Sequence, residues 1–347
     1  MEMKAVVLNG PNDFKPMMVE KPQINEDEIL LKMHKAAICG TDIRILEGKK
    51  TKDVRYPSTI GHEMCGTIES VGANVKEYAI GDKVSIANVI PCGHCSSCLN
   101  GRENACMNRM AIGYQYDGGF AEYIKIPKIC IEAGNVVKLP ESVSFTAGAL
   151  IEPLACCIRG LKNAGTGFND TVLVVGAGPI GLMHIQLSKI AGASKVFVSE
   201  PNEFRRQKAT LLGADIVVDP TNQDLKQIIM DETNGLGVDV IIVAIGVPAI
   251  VNSTLKLCKK GGTVCLFAGF AGTGECTIEV NTIHYSEINV CGSTAYKRSD
   301  YLAAAEMVKT GKINLDEIAT HTYKLDDFVE AYEMNKSGKG LKIMIEP

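Results

Sequence analysis

The sequence predicts an α/β protein in which a doubly wound parallel sheet in the second part of the chain is joined to a mainly β first part. Three observations predict it. Thr171-Val172-Leu173-Val174-Val175 is a continuous apolar run of the kind shown by a parallel strand buried on both faces. Strand-like and helix-like segments then alternate at regular spacing as far as Asn289-Val290-Cys291. Before Pro140, by contrast, helical periodicity is poor, and short β-rich runs are broken by Pro, Asn and Gly.

The early strands are expected at Ala5-Val6-Val7-Leu8, Ile29-Leu30-Leu31-Lys32-Met33, Gly66 to Gly72 and Asp82 to Ile86, with Gly81-Asp82 as a turn. A helix is expected from Thr146 to Lys162, and after the Thr171 run another to Ala191. Strand Lys195 to Ser199, helix Glu203 to Leu212 and strand Asp215 to Val218 follow, then helix Gln223 to Glu232 and strand Asp239 to Val243. Helix Ala249 to Cys258 and strand Thr263 to Phe267 complete the alternation. The tail reads as helices Tyr301 to Lys309 and Asp326 to Asn335 and a strand Lys342 to Ile345, too little apolar surface for a domain of its own. The expected division is 1–153, 154–294 and a segment 295–347 that returns to the first domain.

At 347 residues the chain can bury two cores, and 46% hydrophobic with 22% charged residues is the balance of a folded soluble protein. A net charge of −4 gives no reason to expect nucleic acid or an anionic membrane as partner. Thr171 to Ser188 lacks Asp, Glu, Lys and Arg, but Gly176-Ala177-Gly178-Pro179 interrupts it, so it reads as strand, turn and helix start, not as a membrane span. The start, Met1 to Leu8, has no apolar h-region, so the thirteen cysteines are expected reduced, in a cytoplasm, with some committed to metal. Cys65, Cys130, Cys156, Cys157, Cys258, Cys265, Cys276 and Cys291 sit among apolar or small residues and read as core packing.

Cys92, Cys95, Cys98 and Cys106 are spaced as a closed thiolate site, and structural zinc is the expected occupant, with an iron–sulfur cluster as rival. His94 inside that lobe, at about 90–108, is expected to be solvated. Gly176-Ala177-Gly178-Pro179-Ile180-Gly181 follows a buried strand and opens a helix, the context in which backbone N–H groups meet a pyrophosphate. Glu200 ends the next strand, where a carboxylate accepts ribose hydroxyls and repels a 2′-phosphate, so NAD is favoured over NADP. Arg205 and Arg206 lie just beyond, either beside a 2′-phosphate or on a solvated helix face.

A chain with a nicotinamide site and a separate structural zinc has a use for a Lewis acid on an alcohol oxygen. Cys39 and His62 are the candidates for an open zinc site, and a third ligand must be a carboxylate. Glu63 adjoins His62, and Glu152 falls at the junction of the two domains; their bland readings are a surface carboxylate and a helix-terminus charge.

Taken in order, Cys39-Gly40-Thr41-Asp42, Gly61-His62-Glu63, the four-cysteine lobe, Gly118-Gly119-Phe120-Ala121-Glu122-Tyr123, Glu152-Pro153 and the glycine-rich turn resemble the zinc-containing medium-chain dehydrogenase/reductases. The resemblance covers essentially the whole chain. It implies a GroES-like catalytic domain, a Rossmann coenzyme domain, and two zinc ions per chain. A Glu in the Glu152-Pro153 setting resembles the polyol branch: sorbitol, butanediol, threonine and sugar-alcohol-phosphate enzymes. By that resemblance Cys39 and His62 ligate the catalytic zinc, with Glu63 and Glu152 sharing the remaining positions, while Thr41 relays the substrate proton and Asp42 orients the imidazole. The implied reaction is oxidation of a secondary alcohol, a polyol or sugar alcohol, by NAD+. Threonine, butanediol or a sugar-alcohol phosphate are the alternative substrates, and a zinc- and nucleotide-binding regulator is the non-enzyme alternative. The expected assembly is a homodimer or tetramer, joined through an exposed edge near Ile288 to Ser293.

Two positions depart from that pattern. Arg44 stands five after Cys39, where related enzymes often carry a relay histidine. Ala295-Tyr296 stands where sorbitol dehydrogenases carry Arg-Tyr, so a polyol-clamping guanidinium is missing; Lys297 and Arg298 follow, to compensate for it or, with Arg44, to favour a phosphorylated polyol.

Overall fold

The computed structural model describes every residue except Ala271 and Thr273. Two compact units result: Met1–Ala155 with Tyr296–Pro347, and Cys156–Ala295. The chain passes from one to the other inside helix Ile151–Ala164.

The first unit is built on a seven-stranded sheet. Its order is Val136–Lys138, Lys83–Ile86, Glu63–Val71, Ile29–Ala37, Lys342–Glu346 and Ala319–Lys324, with Tyr123–Ile126 also paired to Ile29–Ala37. A three-stranded sheet of Asp13–Glu20, Glu2–Gly10 and Ser58–Thr59 accompanies it. Leu31, Met33, Ile68, Phe120, Phe328 and Ile343 are among the side chains of the common core. Ala37 faces Glu63 on one side and Met344 on the other, so this register carries the start of the last strand toward Glu63.

Strand Ala319–Lys324 was not expected: Thr320, His321 and Thr322 give it no apolar alternation. It forms because Lys342–Glu346, buried over most of its length, offers a parallel partner. The expected helix Thr146 to Lys162 is two helices, Phe145–Ala149 and Ile151–Ala164, with Leu150 as the C-cap between them. Ser144 accepts the Ala147 N–H at 2.9 Å and so fixes the start of the first.

The second unit holds a six-stranded, all-parallel sheet in the order Ile216–Val218, Lys195–Ser199, Thr171–Val175, Val238–Val243, Cys258–Leu266 and Asn289–Gly292. The order reverses direction between Thr171–Val175 and Val238–Val243, the switch point where such sheets bind ligands beyond their strand ends. Its core includes Leu173, Phe197, Ile229, Ile241, Val264 and Ile288. The expected helix Ala249 to Cys258 shrinks to a 3₁₀ turn Pro248–Ile250 and helix Val251–Leu255. Cys258 leaves it for the sheet, where it pairs with Val238.

The charge-free stretch is strand Thr171–Val175, the glycine turn and helix Pro179–Ile190; no helix among the described residues is long and apolar enough to cross a membrane. The cysteine reading needs correction at Cys276, which is exposed, while Cys156, Cys258 and Cys291 are half-buried and Cys65, Cys130, Cys157 and Cys265 are buried. Cys276 lies among Gly274, Glu275 and Thr277, which provide no apolar packing.

Candidate metal and dinucleotide sites

Cys39 caps the seven-residue helix Gly40–Leu46. Its Sγ accepts the Thr41 N–H at 3.5 Å, and Asp42 Oδ2 accepts the Cys39 N–H at 2.9 Å, a reciprocal capping box made with a thiol. The other oxygen of Asp42, Oδ1, lies 3.0 Å from His62 Nδ1, so one fully buried carboxylate fixes both the Cys39 turn and the imidazole. With Nδ1 engaged there, Nε2 is the nitrogen left for a ligand role.

Gly61 delivers His62. It sits at φ +101, where a Cβ would lie 2.9 Å from Phe120 Cγ, and a Cβ on Gly118 would lie 2.2 Å from the Gly61 carbonyl oxygen. The Gly118-Gly119-Phe120 motif is thus the packing surface of the Gly61-His62 turn.

Donor atoms of Cys39, His62 and Glu63 lie within 4.8 Å of one another. Tetrahedral zinc with bonds of about 2.0–2.3 Å spaces its donors about 3.5 Å apart, so a small inward movement closes this set on an ion. One thiolate, one imidazole and one carboxylate suit zinc, and they leave a fourth position open. Glu63 is not a surface carboxylate; it is 1% exposed, with Lys342 Nζ donating to both of its oxygens.

Glu152, at the start of its helix, is outside the 4.8 Å group, yet its charge is felt there. Burial, with repulsion from Glu63 and Asp42, outweighs the attraction of His62 and Lys342 and pushes its carboxyl up to about 7. Burial would push the His62 imidazole down, but Tyr114, Asp42 and Cys39 overcome it and hold it well above its ordinary value. This pocket is built to hold positive charge.

Tyr114 and Lys342 escaped the sequence reading. The Tyr114 ring lies 5.5 Å from the His62 ring, tilted by 52°. Lys342 looks in sequence like one residue of a β run; its burial at 5% exposure is the signal, since a buried ammonium needs a carboxylate. The Arg298 guanidinium packs on Gly134 while its backbone N–H donates to Glu103 at 3.0 Å, and the Lys297 backbone N–H donates to Asp300.

Cys92, Cys95, Cys98 and Cys106 bring their sulfurs together within 4.8 Å in the second group of metal-ligand type. The Cys98 and Met107 N–H groups pull the Cys95 thiol down to about 6 and the His94 N–H lowers Cys92, while burial and the neighbouring Cys95 push Cys98 up to about 12. The His94 ring is exposed and turns to the Cys92 carbonyl at 2.7 Å.

In the second unit Gly176 has φ +95, and a Cβ on Gly181 would lie 1.9 Å from its carbonyl oxygen, so turn and helix pack with nothing between them. Gly178 caps helix Pro179–Ile190, and Pro179 begins it without a wasted donor. Ile180 and Gly181 follow in the first turn. Beside the turn lies a cavity of about 680 Å³ lined by Gly176, Ser199, Glu200, Arg205, Asp224 and Ile245. Glu200 Oε2 accepts the Ala177 N–H at 2.8 Å and Oε1 the Asn202 N–H at 2.9 Å. Its carboxylate therefore stiffens the glycine turn while lining the cavity. A Cβ on Gly178 would lie 4.0 Å from Arg205 Nη1. Arg206 instead binds the Glu200 and Pro201 carbonyls and pairs with Asp219 at 3.2 Å.

Two family models match the chain, one described as alcohol dehydrogenase GroES-like domain over residues 25–141 and one as zinc-binding dehydrogenase over residues 179–310. An L-threonine 3-dehydrogenase of Pyrococcus furiosus is 36% identical over 307 residues, 87% of this chain and 86% of its own. A D-arabitol-phosphate dehydrogenase of Enterococcus avium is 33% identical over 99% of this chain and 97% of its own. A solved structure from Sinorhizobium meliloti, bound to NADP, aligns with TM-score 0.93 at 33% identity over the whole of both chains.

Proposed function

The chain belongs to the zinc-containing medium-chain dehydrogenases, in the polyol and threonine dehydrogenase branch, and from that premise we propose that it oxidises a secondary alcohol of the polyol or sugar-alcohol class to a ketone, reducing NAD+. The observation that carries this reading is the convergence of Cys39, His62 and Glu63 donors within 4.8 Å. A closed four-thiol group elsewhere in the same unit makes a purely structural role for this open set redundant.

A zinc ion held by Cys39, His62 and a carboxylate supplies Lewis acidity that makes an alcohol oxygen easier to deprotonate. Asp42 holds the imidazole with Nε2 forward, and Thr41, two residues from Cys39, is the hydroxyl that takes the alcohol proton. Glu152, with its carboxyl near neutrality, is poised to exchange protons in the same pocket. Glu63, which Lys342 Nζ also binds through both oxygens, and Glu152 would share the remaining ligand position.

For the nucleotide, Gly176, Gly178 and Gly181 shape the pyrophosphate turn, with Pro179 and Ile180 in the helix start behind it. Glu200 beside the cavity favours NAD+ over NADP+, although a relative was solved with NADP and Arg205 lines the same cavity. The edge strand Asn289–Gly292, with Val290 40% and nearby Tyr285 73% exposed, is the surface through which we expect a dimer or tetramer to form. The thirteen thiols favour a reducing, cytoplasmic setting.

The threonine relative makes L-threonine the second reading. Metal analysis and NADH production on sorbitol, arabitol, L-threonine and 2,3-butanediol test the assignment together. About two zinc per chain and chelator-sensitive turnover of a secondary alcohol are expected; zinc confined to the four-cysteine lobe with no turnover on any alcohol would overturn it.

A further inference from the structure

The outer strand of the parallel sheet carries a thiol pair that neither the metal sites nor the nucleotide cavity uses. Strand Cys258–Leu266 pairs with strand Asn289–Gly292, and the register sets Val264 against Val290 and Cys265 against Cys291. Residues directly opposite on neighbouring strands point to the same face of a sheet. Here helix Ile151–Ala164 covers that face: Cys265 Sγ lies 3.9 Å from the Gly160 carbonyl oxygen and Cys291 Sγ 3.5 Å from that of Asn163. Gly160 and Asn163 stand about one turn apart on one side of the helix, so both sulfurs meet the same helix face.

The two thiols also share a hydrogen bond, which lowers the Cys291 thiol and raises that of Cys265; burial opposes the first effect and reinforces the second. Access divides the pair in the same sense. Cys265 is fully buried, whereas Cys291 is half-buried on the last strand of the sheet, between exposed Val290 and Gly292. Neighbouring strands run about 4.8 Å apart, and a disulfide spans Cα atoms about 4.4–6.8 Å apart, so a bridge at this register fits without parting the sheet. The strand itself is lightly held. Asn289, Val290 and Gly292 are exposed, and the Asn163 amide donates to the Gly292 carbonyl at 3.1 Å. An element with so few apolar contacts lies at the low-stability end of a domain, where one covalent tie has most effect.

We propose that Cys265 and Cys291 form a reversible disulfide site, oxidised by low-molecular-weight disulfides, that locks the outer strand to the sheet. The Cys291 thiolate attacks one sulfur of the small disulfide and displaces the other as a thiolate, leaving a mixed disulfide on Cys291. The released thiolate takes the Cys265 proton. Cys265 Sγ then attacks Cys291 Sγ and displaces the second small thiolate, which takes up the proton that Cys291 gave to solvent. Two protein thiols are oxidised to one disulfide, and one small disulfide is reduced to two thiols.

The test incubates the zinc-loaded protein with glutathione disulfide, alkylates free thiols in denaturant, and maps peptides by mass spectrometry before and after dithiothreitol. A linked Cys265–Cys291 peptide that reverts with dithiothreitol is expected in at least about tenfold excess over glutathione held on Cys291 or on exposed Cys276. The oxidised protein should melt about 5 °C or more above the reduced one, because the bridge closes the chain from Leu266 to Val290 into a loop. Cys291→Ser should abolish both the link and the shift. Cys265→Ser should stop at the mixed disulfide, and its melting after the same treatment subtracts any effect at the zinc-binding thiols. The wild-type peptide map decides the pairing even where a variant folds poorly. Both thiols recovered free while Cys276 is oxidised, or a link from Cys276 to either of them, would overturn the proposal. So would a linked protein that melts no higher than the reduced one, since the bridge would then strain the strand instead of locking it.

Discussion

Lys342 Nζ donates to both carboxylate oxygens of Glu63, and neither side chain is more than 6% exposed. Burial alone would push the Lys342 ammonium down, but Glu63, helped by Cys39 and Glu152, holds it above its ordinary value. The last strand of the chain thus supplies a fixed positive charge behind a candidate metal ligand.

Removing that charge strands Glu63 in the interior. Lys342→Met is expected to destabilise the zinc-free protein by about 3–5 kcal/mol, as breaking one side of a buried pair does. Zinc should restore part of the loss, because a divalent cation takes over the role of the ammonium. Urea denaturation of wild type and variant, with and without zinc, measures both terms. An equal loss in the two conditions would assign Lys342 a packing role only.

The two cysteine settings separate by metal content. Cys95→Ser should lower zinc from about two to about one per chain and reduce the melting temperature, because a closed thiolate site contributes folding energy. Cys39→Ser should also leave about one zinc but keep the lobe, with turnover lower by on the order of a thousandfold. Atomic absorption together with activity checks this, and a Cys39→Ser protein retaining full metal and full activity would exclude Cys39 as a ligand.

His184 gives the second unit an acid-sensitive point. Its ring is fully buried, meets Phe267 edge-on at 4.6 Å, and finds no hydrogen-bond partner for either nitrogen among the described residues. Burial pushes its imidazole down to about 3. The unfolded chain, with a value near 6.5, therefore takes up the proton first as pH falls, so this contribution to stability is complete above 6.5 and is lost between 6.5 and 3. From pH 7.5 to 5.5 the loss should be about 1.4 kcal/mol. Urea midpoints of His184→Leu should lack that component, and an unchanged pH slope in the variant would show that His184 is not its source.

The parallel sheet was legible because a strand buried on both faces leaves an uninterrupted apolar run, as Thr171–Val175 does. The four-cysteine lobe and glycine turn were legible for a related reason: their residues are local, so spacing alone encodes geometry. Lys342 and Glu63 lie 279 residues apart, and only the register of three neighbouring strands brings them together. Tyr114 likewise gains its place from the loop fold against Gly61, with no periodicity to mark it. Ala319–Lys324 carries a polar sequence and becomes a strand through its partner, which is tertiary structure overriding local pattern. Arg298 shows that adjacency to Tyr296 says nothing of direction, since its guanidinium packs on Gly134.

Glu200 does two tasks, and a nucleotide comparison separates them. Its oxygens already accept the Ala177 and Asn202 N–H groups, yet each retains a lone pair toward the cavity that it lines with Arg205. A ribose diol can use those lone pairs, whereas a 2′-phosphate meets a negative charge that Arg205 only partly offsets. The wild type is therefore expected to favour NAD+ over NADP+ by at least about tenfold in kcat/KM. Arg205→Ala should widen that ratio by weakening NADP+ more than NAD+. Glu200→Gln should narrow it, because the amide keeps an acceptor for one backbone N–H and no longer repels phosphate. Loss of the second acceptor also loosens the glycine turn, so NAD+ binding to Glu200→Gln should weaken by about tenfold even where NADP+ improves. Initial rates with both nucleotides across the three proteins decide it, and a wild type preferring NADP+ would reassign Arg205 as the residue that sets cofactor choice.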